Sequence, residues 1–250
     1  MNRTARLFPL LLAGLLAAAA AQARPRLYIG TELSTPSSMQ VDGQLTGFAT
    51  DKVRVIMERA EIDYEIEVLP WKRAFMLAQT QANACIYSTT RIPERETQFK
   101  WVGPTHENDW TLFARADLQL PLPRRSTTTR PYRIGGLLGD VRSELLLAQG
   151  YIVDTVHDKL SNPRKLMVNR IDLWVTSTRI GNATIAENGW SGQIVPVLTF
   201  KRTEQYLACN LAVPDALIAK MNAVLKDMNN EGVSAAIERK YNYAGSAVRR

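Results

Sequence analysis

Three residues in this chain, Glu32, Asp140 and His106, are of the types that serve as catalytic acid and base, yet nothing in their spacing demands that they meet. His106 and His157 are too few for a His-rich metal centre, and Cys85 and Cys209 lack the paired spacing of a zinc or redox site. No G-x-S-x-G, H-E-x-x-H or Walker pattern occurs. The run Gly135-Gly136-Leu137-Leu138-Gly139 is not followed by Lys-Ser/Thr, and a turn needs glycine for conformational reasons alone. No metal or cofactor is therefore expected, and recognition of a ligand is favoured over bond-making chemistry.

The elements that must position such groups follow from composition and periodicity. A chain of 250 residues, 46% hydrophobic and 22% charged, has enough apolar side chains for one large domain or two medium ones. Residues 1–23 carry Arg3 and Arg6, an apolar run of about 15 residues and Ala21-Gln22-Ala23, the order of a secretory signal peptide with cleavage before Arg24. The run is short of the roughly 20 residues a spanning helix needs, and no cysteine stands at the cleavage point for a lipid anchor. Loss of two arginines and no acid takes the formal charge from +7 to about +5. The remaining basic residues are scattered, so nucleic acid is excluded as a partner.

After a strand at Leu27-Tyr28-Ile29 and a turn at Gly43–Gly47, Asp51 begins a helix with Val53, Ile56, Met57 and Ala60 on one face. Ile62, Tyr64, Ile66 and Val68 alternate as in a strand, Pro70 starts a second helix, and Ala84–Tyr87 is a third short strand. The pattern recurs: a strand at Tyr132–Ile134, a turn at Gly135–Gly139, a helix from Val141 to Gln149 closed by Gly150, a strand at Tyr151–Val156, a helix opened by Asn162-Pro163, and a strand at Ile171–Val175. Two such halves predict two α/β lobes. Trp110–Arg115 leads into the Pro-rich 120–123 crossing. Gln205–Val213 is a second extended run, before a helix bearing Leu217, Met221, Val224 and Met228. The expected division is 1–23 signal peptide, 24–112 first lobe, 113–205 second lobe, and 206–250 a return strand with C-terminal helices packed on the first lobe. Ligands of such sheets sit beyond the carboxyl ends of the strands, here in a cleft between lobes.

Several segments resemble one family. They are Gly47-Phe48 with Asp51, Pro70-Trp71-Lys72-Arg73-Ala74, Thr89-Thr90-Arg91-Ile92-Pro93-Glu94-Arg95-Glu96 and Trp101-Val102-Gly103-Pro104 in the first half. Asn169-Arg170-Ile171-Asp172 and Asn230-Glu231-Gly232 lie in the second. Together they resemble the periplasmic solute-binding proteins of the polar-amino-acid type, family 3, across the whole mature chain. The resemblance implies an α/β type II clamshell with a two-strand hinge, a periplasmic location, and capture of a small, amino-acid-like solute for an ABC permease. A membrane sensor is the alternative partner, and a dehydratase-type enzyme on the same fold is a more remote alternative. The protein is expected to be a monomer.

The resemblance assigns Arg95 to a ligand carboxylate, with Thr90 beside it, and Arg91 as the second-choice cation. A planar guanidinium meets both carboxylate oxygens. Asp140 reads as a cap of the helix from Val141 or as a displaced anion for the ligand. Ser177 stands where the family usually presents an acid to an ammonium, and Ser37-Ser38 replace an aromatic cup, so a standard α-amino acid is in doubt. Trp71 at a helix start and Glu32 after the first strand are further cleft candidates. Trp110, Phe113, Trp174 and Trp190 read first as packing. In an oxidising periplasm Cys85, on a central strand, and Cys209, on the returning hinge strand, could form a disulfide or remain two free thiols.

Overall fold

The computed structural model describes residues 26–118 and 132–241. The signal-peptide reading, the cleavage before Arg24 and the Pro-rich 120–123 crossing lie outside the described residues. The first half runs β1 (Arg26–Thr31), β2 (Met39–Val41), β3 (Gln44–Thr46), α1 (Phe48–Arg59), β4 (Asp63–Val68), α2 (Trp71–Thr80), β5 (Ala84–Thr90), a 3-10 helix (Pro93–Gln98) and β6 (Lys100–Arg115). The second continues β7 (Arg133–Leu137), α3 (Val141–Ala148), β8 (Ile152–Val156), α4 (Ser161–Met167), β9 (Leu173–Ser177), α5 (Thr178–Glu187), β10 (Ile194–Cys209), α6 (Asp215–Asn230) and α7 (Val233–Lys240).

Strand order in the main sheet is β4-β1-β5-β10-β6-β9-β7-β8. Both β6 and β10 are 16 residues long, and they pair antiparallel from Ile194↔Arg115 to Cys209↔Lys100. One end of this ladder joins β5, which lies parallel to β1, and the other joins β9, which lies parallel to β7. Two α/β lobes therefore share one pair of strands, the clamshell with a two-strand hinge. The expected boundaries at 112/113 and 205/206 fall inside β6 and β10.

Each lobe has its own core. The α1 stripe of Val53, Ile56, Met57 and Ala60 is buried with Leu27 and Ile29 of β1, and Met221, Leu225 and Met228 of α6 and Ile237 of α7 close over it. The C-terminal helices thus complete the first lobe. In the second, Ile134, Leu146, Leu173 and Val175 bury one face, while Phe113, Leu166, Trp174 and Ile185 bury the other.

Two turn readings need correction. The turn expected at Gly43–Gly47 is instead the Asp42-Gly43 pair, with φ of 51° and 77°, and Gln44–Thr46 is the second strand of a hairpin. An Asp-Gly pair suffices for a two-residue hairpin loop. In the second lobe, Gly135 and Gly136 lie inside β7 because helices approach too closely for any side chain. A Cβ would come within 2.6 Å of Asn162 Oδ1 on α4 at the first and 2.2 Å of Ser143 Oγ on α3 at the second. The first helix also begins earlier than Asp51, at Phe48, and α5 is an element the apolar pattern does not announce.

Cys85 and Cys209 face each other on β5 and β10 and are joined by a disulfide. At a sequence separation of 124, loop entropy sets an upper bound of about 5 kcal/mol on the bridge's contribution. The Cys85→Ala/Cys209→Ala variant is expected to unfold at clearly lower urea concentration. An unshifted midpoint, or two free thiols in the denatured, oxidised protein, would refute the bridge's role.

Candidate ligand-binding cleft

Between the lobes lies a cavity of about 170 Å³, lined from the first lobe by the ends of β1 and β5, α1, α2 and the 3-10 helix. From the second lobe it is lined by the β7–α3 turn and the start of α5. Its size suits a small molecule rather than a polymer.

Arg95 stands on the 3-10 helix, which Pro93 opens with its fixed φ and which Glu94 and Glu96 favour at the N-terminal end. Its guanidinium lies 5.0 Å from the centroid of the Phe75 ring and makes one long contact, 3.5 Å, to the Thr90 carbonyl. Among the described residues it has no carboxylate within ion-pair distance. Burial holds its pKa below the ordinary arginine value, against the more distant pull of Glu144, Asp140 and Glu94. Thr90 Oγ1 accepts from Gln205 Nε2 at 2.8 Å, so its hydroxyl hydrogen remains to donate. Trp71, at the first position of α2, lines the same wall. Beside it, Ser88 takes a left-handed φ of 57° at the end of β5, and its buried Oγ has no hydrogen-bond partner.

Asp140 caps α3, its Oδ1 accepting the backbone N–H of Arg142 at 2.8 Å. The same residue's side chain turns back on it, Nε donating to Oδ1 at 2.8 Å and Nη2 to Oδ2 at 2.5 Å. Burial would raise the Asp140 pKa, but the Arg142 charge and hydrogen bonds, with Arg95 adding, outweigh burial and hold the carboxyl below its usual range. Ser177 is fully buried as the N-cap of α5, its Oγ accepting from the Ile180 N–H at 3.3 Å. Glu32 is matched from the opposite lobe by Lys159 at 3.0 Å, and Lys159 also donates to the Leu33 carbonyl.

Six of the seven residues singled out from the sequence thus line one cleft: Glu32, Trp71, Thr90, Arg95, Asp140 and Ser177. Arg91 does not. It is engaged by Glu96 at 2.7 and 2.5 Å and lies over the rings of Trp101 and Tyr206, on the outer side of the hinge. Within the family-like segment Arg91 and Arg95 are four residues apart, and only the second is free of a local carboxylate. Trp110, read as packing, is buried on β6 and also lines the cleft. The replacement Ser38 is used inside the fold, where it meets Tyr87 Oη at 3.2 Å and receives a hydrogen bond from Thr31 at 3.3 Å.

A further polar group at the cleft floor had no sequence signal. Lys52 is buried in α1 and donates to the Thr105 carbonyl and to Glu238 Oε1, both at 2.6 Å. Arg179, at the start of α5, donates to Glu238 Oε2 at 2.6 Å and lies 4.9 Å above the Phe48 ring. Glu238 therefore ties both lobes together. His106 sits beside this group, edge-on to Phe48. The Thr105 hydroxyl donates to the Gln205 carbonyl, so at 3.1 Å it accepts the proton of His106 Nδ1. Among the described residues no three His, Cys, Asp or Glu side chains form a metal-holding cluster, and no helix is long and apolar enough to cross a membrane.

Two α/β lobes hinged on shared strands around a charged, aromatic-lined cleft define a ligand-capturing class of protein. The chain belongs to the bacterial extracellular solute-binding proteins, family 3, whose family model matches residues 27–244. Its fold is similar to that of a histidine kinase sensor domain with similarity to periplasmic binding proteins, at 18% identity over 87% of this chain and 96% of that one, with a TM-score of 0.78. It is also similar to the arginine-, lysine-, histidine-binding protein ArtJ from the thermophilic bacterium Geobacillus stearothermophilus, at 16% identity, 86% and 94% coverage and a TM-score of 0.73. The ancestral amino acid-binding protein AncCDT-1, a precursor of cyclohexadienyl dehydratase, gives 20% identity, 86% and 94% coverage and a TM-score of 0.72. At these identities the likeness is one of fold. No curated protein sequence matches the chain.

Burial, with Lys52 and Arg179 nearby and only Glu238 opposing, lowers the His106 pKa from 6.5 to about 3. The folded protein therefore keeps His106 neutral while the unfolded chain takes up a proton below pH 6.5, so this contribution is complete above pH 6.5 and is lost as pH falls toward 3. His106→Gln is expected to flatten the fall of stability with acid by about 1.4 kcal/mol per pH unit in that window, read from urea denaturation at pH 4 to 7. An identical slope in the variant would show that His106 is not the group responsible.

Proposed function

We propose that this protein captures a small carboxylate-bearing solute outside the cytoplasm and presents it to an ABC permease. The observation that carries the reading is Arg95: a largely buried guanidinium on the cleft wall, without an ion-pair partner among the described residues, where Asp140, Glu32 and Glu238 are all already engaged. A buried charge is tolerated when paired, and a ligand carboxylate would supply the missing partner. Thr90 would donate its free hydroxyl hydrogen to the same group, with Trp71 covering the ligand's apolar face. Two or three charge-assisted hydrogen bonds at about 1.5–3 kcal/mol each, plus apolar burial, reach the roughly 8 kcal/mol of a micromolar ligand. The family, the amino-acid-binding relatives and the signal-peptide pattern of residues 1–23 support capture and periplasmic location. Turnover of the ligand is not expected, because the cleft carboxylates are held in ion pairs and His106 is neutral and enclosed.

The likeness to a histidine kinase sensor domain favours a second reading, in which the loaded protein signals through a membrane receptor. Loss of uptake of the captured acid in a deletion strain supports transport, whereas normal uptake with an altered transcriptional response supports sensing.

A thermal-shift screen of amino acids, amines and small carboxylates on the mature protein tests capture itself. A ligand at a hundredfold over its Kd is expected to add about 2.7 kcal/mol of stability. Arg95→Ala is expected to abolish that shift and leave the melting point of the unliganded protein nearly unchanged. A shift that survives in Arg95→Ala overturns the assignment of the anchor.

A further inference from the structure

Among the described residues, the two nitrogens left over at the cleft are donors, and the one unpaired hydroxyl there, Ser88 Oγ, can donate as well as accept. Arg142 spends Nε and Nη2 on Asp140, but its Nη1 is buried with no partner, in a side chain only 12% exposed. Trp110 Nε1 is likewise buried and unpaired. Arginine and tryptophan side-chain nitrogens only donate, so neither can receive an ammonium proton. With Arg95 and the Thr90 hydroxyl, the cleft offers unmatched donors from both lobes. Its carboxylates are engaged: the Asp140 oxygens take three hydrogen bonds from Arg142, and Glu32, about one-third exposed, is paired with Lys159. Ser177, which also lines the cleft, is neutral and occupied as a helix cap. Buried donors left unpaired are costly, and the group that relieves them is an acceptor.

We propose that the ligand is a small organic acid without an ammonium group, one carboxylate held by Arg95 and a second acceptor (carboxylate, keto or hydroxyl oxygen) taken by Arg142 Nη1 and Trp110 Nε1. This rests on the reading that the cleft captures a carboxylate through Arg95. Arg142 then determines specificity twice over. It supplies a donor to the acid, and it holds Asp140 away from any ammonium. A site built this way rejects an amino acid because the ammonium would find no free carboxylate and would lie among cations.

The experiment compares matched pairs that differ only at one carbon: succinate and malate against aspartate, glutarate and 2-hydroxyglutarate against glutamate, and lactate against alanine. Calorimetric titration of the mature protein is expected to give at least one ammonium-free acid a Kd tenfold or more below that of its amino counterpart. Equal affinity, or tighter binding of the amino acids, overturns this inference while leaving capture through Arg95 intact. Silence from both series overturns the two together. In Arg142→Gln, checked for folding by its melting transition, release of Asp140 is expected to reduce the acid-over-amino-acid ratio at least tenfold. An unchanged ratio in a folded variant removes Arg142 from the specificity assignment.

Discussion

The ladder between β6 and β10 is the constraint on which the rest depends. The two 16-residue strands pair from end to end, with three bulges, and each lobe borrows one end of the pair as its own sheet. The cleft exists because the two borrowed ends carry separate cores, whose apolar clusters do not merge across the middle rungs. Those middle rungs, Glu107 to Asp109 against Arg202 to Glu204, are polar and are the part of the ladder that no hydrophobic cluster fixes. A hinge needs backbone continuity without a side-chain core over it, and here the two coincide. The disulfide between Cys85 and Cys209 sits at the first-lobe end, where it fastens β5 to β10 and leaves the middle of the ladder free.

Charge placement in the cleft follows from the same geometry. Walls that exclude water raise the cost of any unpaired ion, so the chain pairs nearly all of them internally: Asp140 with Arg142 within one turn, Glu32 with Lys159 across the mouth, and Glu238 with both Lys52 and Arg179 at the floor. Burial alone would raise the Glu238 pKa, but Lys52 and Arg179 overcome it and hold the carboxyl below its usual range. Arg95, with no such partner among the described residues, is on a 3-10 helix whose Glu96 is directed to Arg91. Local pairing of Arg91 with Glu96 is therefore what leaves Arg95 available.

Periodicity made the lobes legible. The α1 and α6 stripes, the alternation at Ile62–Val68 and the repeat of strand and helix in both halves are statements about burial, and the structure buries those residues wholly or in part. Family-like spacing marked the segment that carries Arg95, although it could not separate Arg91 from Arg95, because which arginine meets Glu96 is decided by the path of six residues in space. The reach of β6 and β10 through both lobes was illegible, since their middle rungs are charged and carry no apolar pattern. Lys52 and Glu238 were hidden for a related reason: 186 residues apart, each looks like an ordinary exposed charge on an amphipathic helix. Glycine-rich β7 read as a turn because the sequence shows the missing side chains and not the helices that require their absence.

Closure of the lobes draws on two kinds of contact with different consequences. Lys159 and Glu32 are each about one-third exposed, and such a pair contributes about 0–1 kcal/mol, too little to hold two lobes together. The Arg179–Glu238 link is more sheltered, but Glu238 keeps Lys52 as a partner if α5 withdraws, so its rupture does not strand a buried carboxylate. Protein contacts alone therefore bias closure weakly. A ligand that touches Arg95 on the first lobe and Arg142 on the second gains its full set of hydrogen bonds only when the lobes meet, and a ligand shifts an equilibrium by no more than its difference in affinity for the two states. The unmatched donors on opposite walls are what makes that difference large: in the open form water can satisfy each of them, and in the closed form only a solute bearing two acceptors can satisfy both.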